Sequence, residues 1–163
     1  MRRNDVNQRI RITQRDRDLE ARVNQALWSY SPLRKSRCPI IVIARAEGVE
    51  LTGTVRTERM KRTVLRLAEA VPGVRKVQDN LMSDGSLEEE IRQRLNRNTS
   101  TYPSANKVTV CSVLGAVYLK GQVASAMVKE EVGRIASQVP GAQMVINELN
   151  VQNHNAVQLK KAA

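Results

Sequence analysis

The octets Ala70–Val77, AVPGVRKV, and Gln138–Val145, QVPGAQMV, repeat one Val-Pro-Gly-x-x-x-Val pattern at a distance of 68 residues. Shifting the whole sequence by that distance extends the match in both directions without a gap. The coinciding positions are mostly apolar, and they include Val49, Leu51, Gly53 and Val55 on Val117, Leu119, Gly121 and Val123. A gapless internal match of this length indicates a tandem duplication of one structural module.

The repeat divides the chain into two domains with a further segment at each end. The predicted segments are a basic N-terminal arm, a first domain, a second domain and a polar C-terminal tail, at residues 1–15, 16–83, 84–152 and 153–163. A short turn at Ser83–Ser86 is expected to join the domains. The arm has five arginines and few apolar residues, so we expect it to lie outside both cores. If the arm becomes ordered against a neighbouring chain, Ile10 and Ile12 are its expected anchors.

Apolar residues at helical spacing predict two helices in each module. Asp18 and Ser86 are the expected N-caps of the first helices, and Ser86 pairs with Glu89 in a capping box. Thr57 and Ser125 are the expected N-caps of the second helices. The Pro-Gly pair of each opening octet then ends the second helix, with Gly in the left-handed position that follows a helix.

Three β-rich runs complete each module and give the order α-β-β-α-β. The second run of the first module alternates strictly, with Glu50, Thr52 and Thr54 expected to point outward. The first runs are IIVIA and VTVCSV, and the third runs follow the Pro-Gly pairs; they cover residues 40–44, 108–113, 74–81 and 142–151.

These patterns resemble the BON domain family, named for bacterial OsmY and nodulation proteins. Gly115–Val123 is similar to the family pattern G-x-V-x-L-x-G-x-V at every fixed position, with no shift needed. In the first module the leading Gly comes one place late, at Gly48, and in the second module Ala142 replaces the usual Val of the V-x-G-V-x-x-V pattern. The resemblance covers residues 16–152, which is nearly the whole chain.

The resemblance implies an α+β fold of two tandem modules, each a three-stranded mixed sheet backed by two helices. It also implies no catalysis, no cofactor and an association with phospholipid surfaces or with partners in the bacterial envelope. The family has no fixed ligand motif, so the resemblance assigns no site residues.

The formal net charge of +11 favours polyanionic partners, which are nucleic acids, anionic lipids or acidic proteins. No apolar run reaches the roughly 18 residues of a membrane span, and the N-terminus has no apolar core of a signal peptide. We therefore expect a cytoplasmic protein as the sequence is written, or a protein of the cell envelope if a leader was removed.

Residues that could carry catalysis or hold a metal are scattered along the chain. The single histidine, His154, lies in the polar tail, and Cys38 and Cys111 have no metal-type spacing, so neither an enzyme nor a metal site is predicted. Glu88–Glu90 is interpreted as a solvated first helical turn. Asp79 and Asn147 are interpreted as local hydrogen-bonding groups rather than ion ligands.

Specific nucleic-acid binding is the least favoured function. No two glycines stand three residues apart, so the GxxG loop of an RNA-binding KH domain is absent from the sequence. The two domains contain one Trp and three Tyr, which is too few for a stacking platform.

The two copies differ on their predicted surfaces, and this difference suggests two functions. The first domain carries a candidate anionic-surface site of eight residues: Arg34, Lys35, Arg37, Arg59, Arg62, Arg66, Arg75 and Lys76. With helices on one side only, each sheet leaves a face open, where strand alternation places candidate interface residues: Ile41, Ile43, Tyr118, Met144 and Ile146. The favoured function is a non-enzymatic module that binds anionic phospholipid or an acidic partner, and the alternative is a structural protein that self-assembles through its sheet faces.

Overall fold

The computed structural model describes residues 13–152, so the arm and the tail lie largely outside the described residues. The described residues form two compact units. The first comprises residues 13–53 and 59–81, and the second comprises residues 54–58 and 82–152. Each unit contains one sheet, and each is described by itself below.

The first domain has three helices and three strands, which are α1 (Gln14–Ser29), α2 (Ser31–Ser36), β1 (Ile40–Arg45), β2 (Gly48–Val55), α3 (Glu58–Glu69) and β3 (Lys76–Ser83). The second domain repeats them as α4 (Asp84–Arg97), α5 (Tyr102–Ala105), β4 (Val108–Val113), β5 (Ala116–Val123), α6 (Ala126–Ser137) and β6 (Met144–Val151). All three strands and the last helix of the two domains correspond at a shift of 68 residues. The predicted α+β class and the tandem arrangement are confirmed.

The sheets have the orders β1-β2-β3 and β4-β5-β6, so β2 and β5 are the central strands of mixed sheets. β1 and β2 are antiparallel, with Ile40 opposite Gly53, and Val108 of β4 lies opposite Gly121 of β5 in the same register. β5 and β6 run parallel. The repeat is therefore preserved in strand pairing and not only in sequence.

Each core consists of aliphatic side chains from the helices and from the inner face of the sheet. In the second domain α4 and β5 supply fully buried residues, among them Leu87, Ile91 and Leu119. β4 alternates strictly between buried and exposed residues, so Val110 faces the core and Cys111 lies on the open face. The expectation for Thr54 was wrong, because this residue is completely buried.

The first helices begin earlier than predicted, because their caps precede the predicted ones. Thr13 caps α1 and forms a capping box with Asp16, and Ser83 caps α4 by accepting a hydrogen bond from the Ser86 N–H. Asp18 and Ser86 are therefore inside the helices rather than at their caps. Ser83 ends β3 and Asp84 begins α4, so the predicted four-residue turn is not formed. The predicted cap Ser125 is confirmed.

The Pro-Gly pairs form tight turns after the second helices rather than the helix ends themselves. α3 ends at Glu69, and the Val74 N–H donates to the Val71 carbonyl across Pro72–Gly73. Pro at the second position and a Gly of positive φ at the third position are typical of a type II turn. Two short helices, α2 and α5, were not predicted; each has a Pro in its first turn.

Carboxylates of the first helices bind the edge strands. Glu20 of α1 accepts a hydrogen bond from the Ala44 N–H at 2.9 Å, and the equivalent Glu88 of α4 accepts one from the Ser112 N–H at 2.6 Å. Edge-strand N–H groups are otherwise open to pairing with another chain. The interpretation of Glu88 as a merely solvated residue was therefore wrong.

The hairpins between the first and second strands have two-residue turns in which both residues have positive φ. These are Ala46 and Glu47 in the first domain, and Leu114 and Gly115 in the second. A type I′ turn requires positive φ at both central residues, and its backbone twist matches the twist of the two strands that it joins. Glu47 thus occupies the position of the family glycine at a φ of 67°, where a side chain is strained.

We predict that Glu47→Gly is more stable than Glu47→Ala by about 1 kcal/mol, because only the former removes the Cβ from a left-handed conformation. Both variants lose the ion pair that Glu47 makes with Arg75 at 2.6 Å, so their difference reports the backbone strain less the larger unfolded-state entropy of Gly. Urea unfolding of both variants measures it. Equal midpoints would show that the turn tolerates a side chain at no cost.

A close approach of two backbone segments makes Gly53 and Gly121 necessary. Both have positive φ, at 136° and 126°. A Cβ on Gly53 would lie 1.9 Å from the Pro39 carbonyl oxygen, and one on Gly121 would lie 1.9 Å from that of Lys107. The chain that enters each first strand therefore passes directly over the central strand at its glycine.

We predict that Gly121→Ala lowers the free energy of unfolding by about 2 kcal/mol or more, since strain and backbone collision act together. The melting temperature should fall by roughly 10 °C. Gly85→Ala is the matched control, because nothing lies within 4 Å of a Cβ on this α4 residue. A Gly121→Ala variant as stable as that control would refute the close approach.

Candidate anionic-surface site

Six exposed cations of the first domain form one set without acidic partners. We call this set the basic cluster: Arg34, Lys35, Arg37, Arg59, Arg62 and Arg66. Each of the six is exposed, and none makes an ion pair within residues 13–152. The cluster draws on two elements, α2 with the residue that follows it, and α3.

A contact between two sulfur atoms holds the end of α2 next to the start of α3. The Cys38 thiol donates to the Met60 sulfur at 3.6 Å, and these two residues directly adjoin Arg37 and Arg59. Leu33 is buried and anchors α2 to the core. The C-terminal end of α2 and the first turn of α3 are therefore neighbours at one end of the domain.

Helix α3 is amphipathic, and this property directs its arginines outward. Met60, Val64 and Ala68 are buried on one face of the helix. Arg59 and Arg66 lie on the opposite face, and seven residues of helix separate them by about 10 Å. The basic cluster thus continues from the α2 end along the outer face of α3.

Trp28 is exposed beside the basic cluster. It lies near the end of α1 with 60% of its surface accessible, and it lines a small depression together with Leu33, Arg34 and Arg37. Tyr30, two residues later, is half-buried between α1 and α2. The sequence pattern left the exposure of Trp28 open, because its position near the helix end fits either environment.

Arg75 and Lys76, the other two predicted site residues, are at the opposite end of the sheet. The Arg75 N–H donates to the Glu47 carbonyl of the hairpin turn at 2.9 Å, and its side chain pairs with the Glu47 carboxylate. Lys76 lines the open sheet face beside Ile43 and Glu50. β1 separates this end from the α2 end by about 20 Å, so the structure does not bring all eight residues together.

Three arginines of the second domain are paired with glutamates on their own helices. Arg134 is equivalent to Arg66, but it pairs with Glu131 at 2.6 Å on the same helix. Hydrogen bonds from Arg134 lower the pKa of the Glu131 carboxyl, so this pair is held in its charged form. On α4, Arg92 and Arg94 are paired in the same way, with Glu89 and Glu90.

The net charge follows this difference in pairing. Residues 16–83 contain 13 basic and 8 acidic residues, whereas residues 84–152 contain seven of each. The excess positive charge of the chain therefore lies outside the second domain. The electrostatic field around the first domain is therefore more positive than that around the second.

The predicted interface residues lie on the open sheet faces. In the second domain Met144 is 55% exposed, while Tyr118 and Ile146 are half-buried and lie opposite each other on β5 and β6. In the first domain Ile41 is exposed and Ile43 is half-buried. Ile41 and Ile43 share their face with Lys76 and Glu50, so the first face is mixed in character.

Within residues 13–152 no group of acidic, His or Cys side chains is arranged to hold a metal ion. Asp79 and Asn147 each accept a hydrogen bond from the backbone N–H two residues later. Asp79 also pairs with Lys61 at 3.0 Å. In this part of the chain, no helix has the length and apolar composition needed to span a membrane.

Two of the solved structures to which the chain is similar are structures of CdsD. One is the C-terminal domain of CdsD, a structural protein of the type III secretion system of Chlamydia trachomatis, with a TM-score of 0.59 and 16% identity over 82% of the present chain. The match spans 64% of that solved chain. A second CdsD structure has a TM-score of 0.36 and 14% identity, covering 90% of this chain and 99% of that one.

The C-terminal domain of CdsD and the present chain share a common fold. Comparison with curated protein sequences gives no match. The sequence pattern of the BON domain family matches the chain twice, at residues 15–82 and 83–153. The chain therefore belongs to the BON domain family and carries two BON domains in tandem.

Proposed function

We propose that the chain is a non-enzymatic tandem binding protein whose first domain associates with anionic phospholipid surfaces through the basic cluster. The observation that carries this proposal is the set of six exposed cations without acidic partners, beside an exposed Trp28. The second domain supplies the contrast, because three of its arginines, Arg92, Arg94 and Arg134, are paired with glutamates.

Electrostatic attraction provides the affinity in this mechanism. Each basic side chain near an acidic bilayer contributes about 1 kcal/mol, so six of them can hold a domain without insertion of a helix. The attraction is screened over about 8 Å at physiological ionic strength. Binding is therefore expected to fall steeply as salt is added.

Trp28 adds an interfacial contact to the electrostatic one. Indole rings favour the boundary between headgroups and acyl chains, where one part of the ring is apolar and another can donate a hydrogen bond. Trp28 is 60% exposed and lines the same depression as Arg34 and Arg37, so a surface that contacts these arginines also meets the indole.

We predict that Arg59→Glu/Arg62→Glu/Arg66→Glu weakens binding to vesicles of phosphatidylcholine with anionic phosphatidylglycerol by about 100-fold or more. The reason is that three favourable charges become unfavourable. Vesicle co-sedimentation measures the loss, and the emission of Trp28, which is the single Trp of the chain, reports a blue shift when the ring leaves water.

The matched control is Arg92→Glu/Arg94→Glu/Arg134→Glu, which changes the net charge equally on the second domain and should retain most of the binding. Equal retention by pure phosphatidylcholine vesicles, or equal losses in both triple variants, would contradict the proposal. Tight binding to RNA that resists salt would favour a nucleic-acid function instead. Binding to an acidic protein but not to vesicles would favour a protein partner.

A further inference from the structure

The open sheet face of the second domain is an apolar surface with a defined strand register. We call it the apolar face: Cys111, Val113, Ala116, Tyr118, Met144 and Ile146. Two rows cross the three strands, Val113–Ala116–Met144 and Cys111–Tyr118–Ile146. Met144 is 55% and Val113 45% exposed, so large apolar side chains meet solvent here.

The first domain shows that the fold does not require apolar residues at three of these positions. Its residues equivalent to Tyr118, Met144 and Ile146 are Glu50, Lys76 and Gln78. The two domains have the same strand pairing and differ in this face. A cluster of exposed apolar side chains that the fold does not need is typical of an interaction surface.

Charge indicates what occupies the apolar face. Residues 84–152 have seven basic and seven acidic residues, so a second copy of this domain meets no net repulsion. Beside the apolar rows, Lys120 of β5 pairs with Glu148 of β6 at 3.4 Å, and both side chains are more than half exposed. This border presents one charge of each sign, which is self-complementary.

We propose that the apolar face binds the same face of a second copy of this chain. The geometry points to a twofold axis that runs parallel to the strands between β5 and β6. This axis sets Lys120 over Glu148 of the second copy, and the small Ala116 over Met144 of the second copy. The two sheets then pack face to face with aligned strands at a separation of about 10 Å.

The size of the apolar face sets the strength of this contact. With the axis between β5 and β6, only these two strands overlap, and two apolar rows about 7 Å apart on strands spaced by about 4.8 Å cover on the order of 200 Å². This area is smaller than the about 800 Å² per partner of a standard interface. The association is therefore weak and reversible in solution. The edge N–H groups of Ala44 and Ser112 are occupied by glutamates, which favours pairing through the face over pairing through these edges.

The first test is the mass in solution by sedimentation velocity from about 1 µM to about 1 mM protein, at about 0.3 M salt and without lipid. The mass of the wild type should rise from 18.3 kDa toward twice that value and stop there. Met144→Lys should require at least about tenfold more protein for the same rise, because the ammonium group would be desolvated against apolar surface.

Met127→Lys is the matched control, since Met127 is 79% exposed on α6 and lies outside the apolar face. It should associate as the wild type does. A mass that stays at 18.3 kDa over the whole range, or equal losses in the two Met variants, would overturn the proposal. A mass that continues to rise beyond the dimer would exclude a closed twofold pair.

The second test is a charge exchange that probes the axis. Lys120→Glu and Glu148→Lys should each weaken dimerisation by several-fold, because each places like charges opposite one another, and the double variant should restore it. Thermal melting of the same variants checks that they stay folded. The exposed Lys120–Glu148 pair contributes little to folding stability, so the melting temperatures should be nearly unchanged. Failure of the double variant to recover would reject the proposed axis. Neither test involves lipid, so both are independent of the proposed membrane function.

Discussion

The passage of one backbone segment directly over another at Gly53 and Gly121 is the constraint on which each domain depends. Both glycines lie on the central strand of their sheet, and Gly121 pairs with Val108 on one side and Leu149 on the other. A side chain at this point would occupy the space of the Lys107 carbonyl. The glycine therefore fixes where the chain enters the edge strand, and with it the register between that strand and the central one.

Because this frame is determined by buried aliphatic residues and by backbone contacts, the two surfaces have been free to diverge. Arg66 and Arg134 occupy equivalent positions on α3 and α6, yet only Arg134 has a glutamate one turn earlier. A paired arginine contributes little field at a distance, whereas unpaired ones add to each other. The proposed roles follow from this contrast, with anion binding assigned to the first domain and self-association to the second.

The edge strands show why association is expected through a face. Glu20 and Glu88 extend from the first helices to the N–H groups of Ala44 and Ser112, so the same protection is present in both domains. An open edge is a general template for strand pairing between chains, and a bound carboxylate removes part of that template. The apolar face of the second domain has no such cover among the described residues, and its chemistry differs from that of its counterpart.

The sequence by itself determined the duplication, the element order and the aliphatic core, because periodicity and a gapless repeat can be read along the chain alone. It did not predict Thr13 and Ser83 as caps, since several polar residues near each start could serve and the end of the preceding segment decides among them. It also grouped Arg75 with Arg59, although they lie toward opposite ends of the domain. Only the tertiary structure separated these arginines and paired Glu88 with Ser112, because distance and ion pairing depend on how helices pack on a sheet.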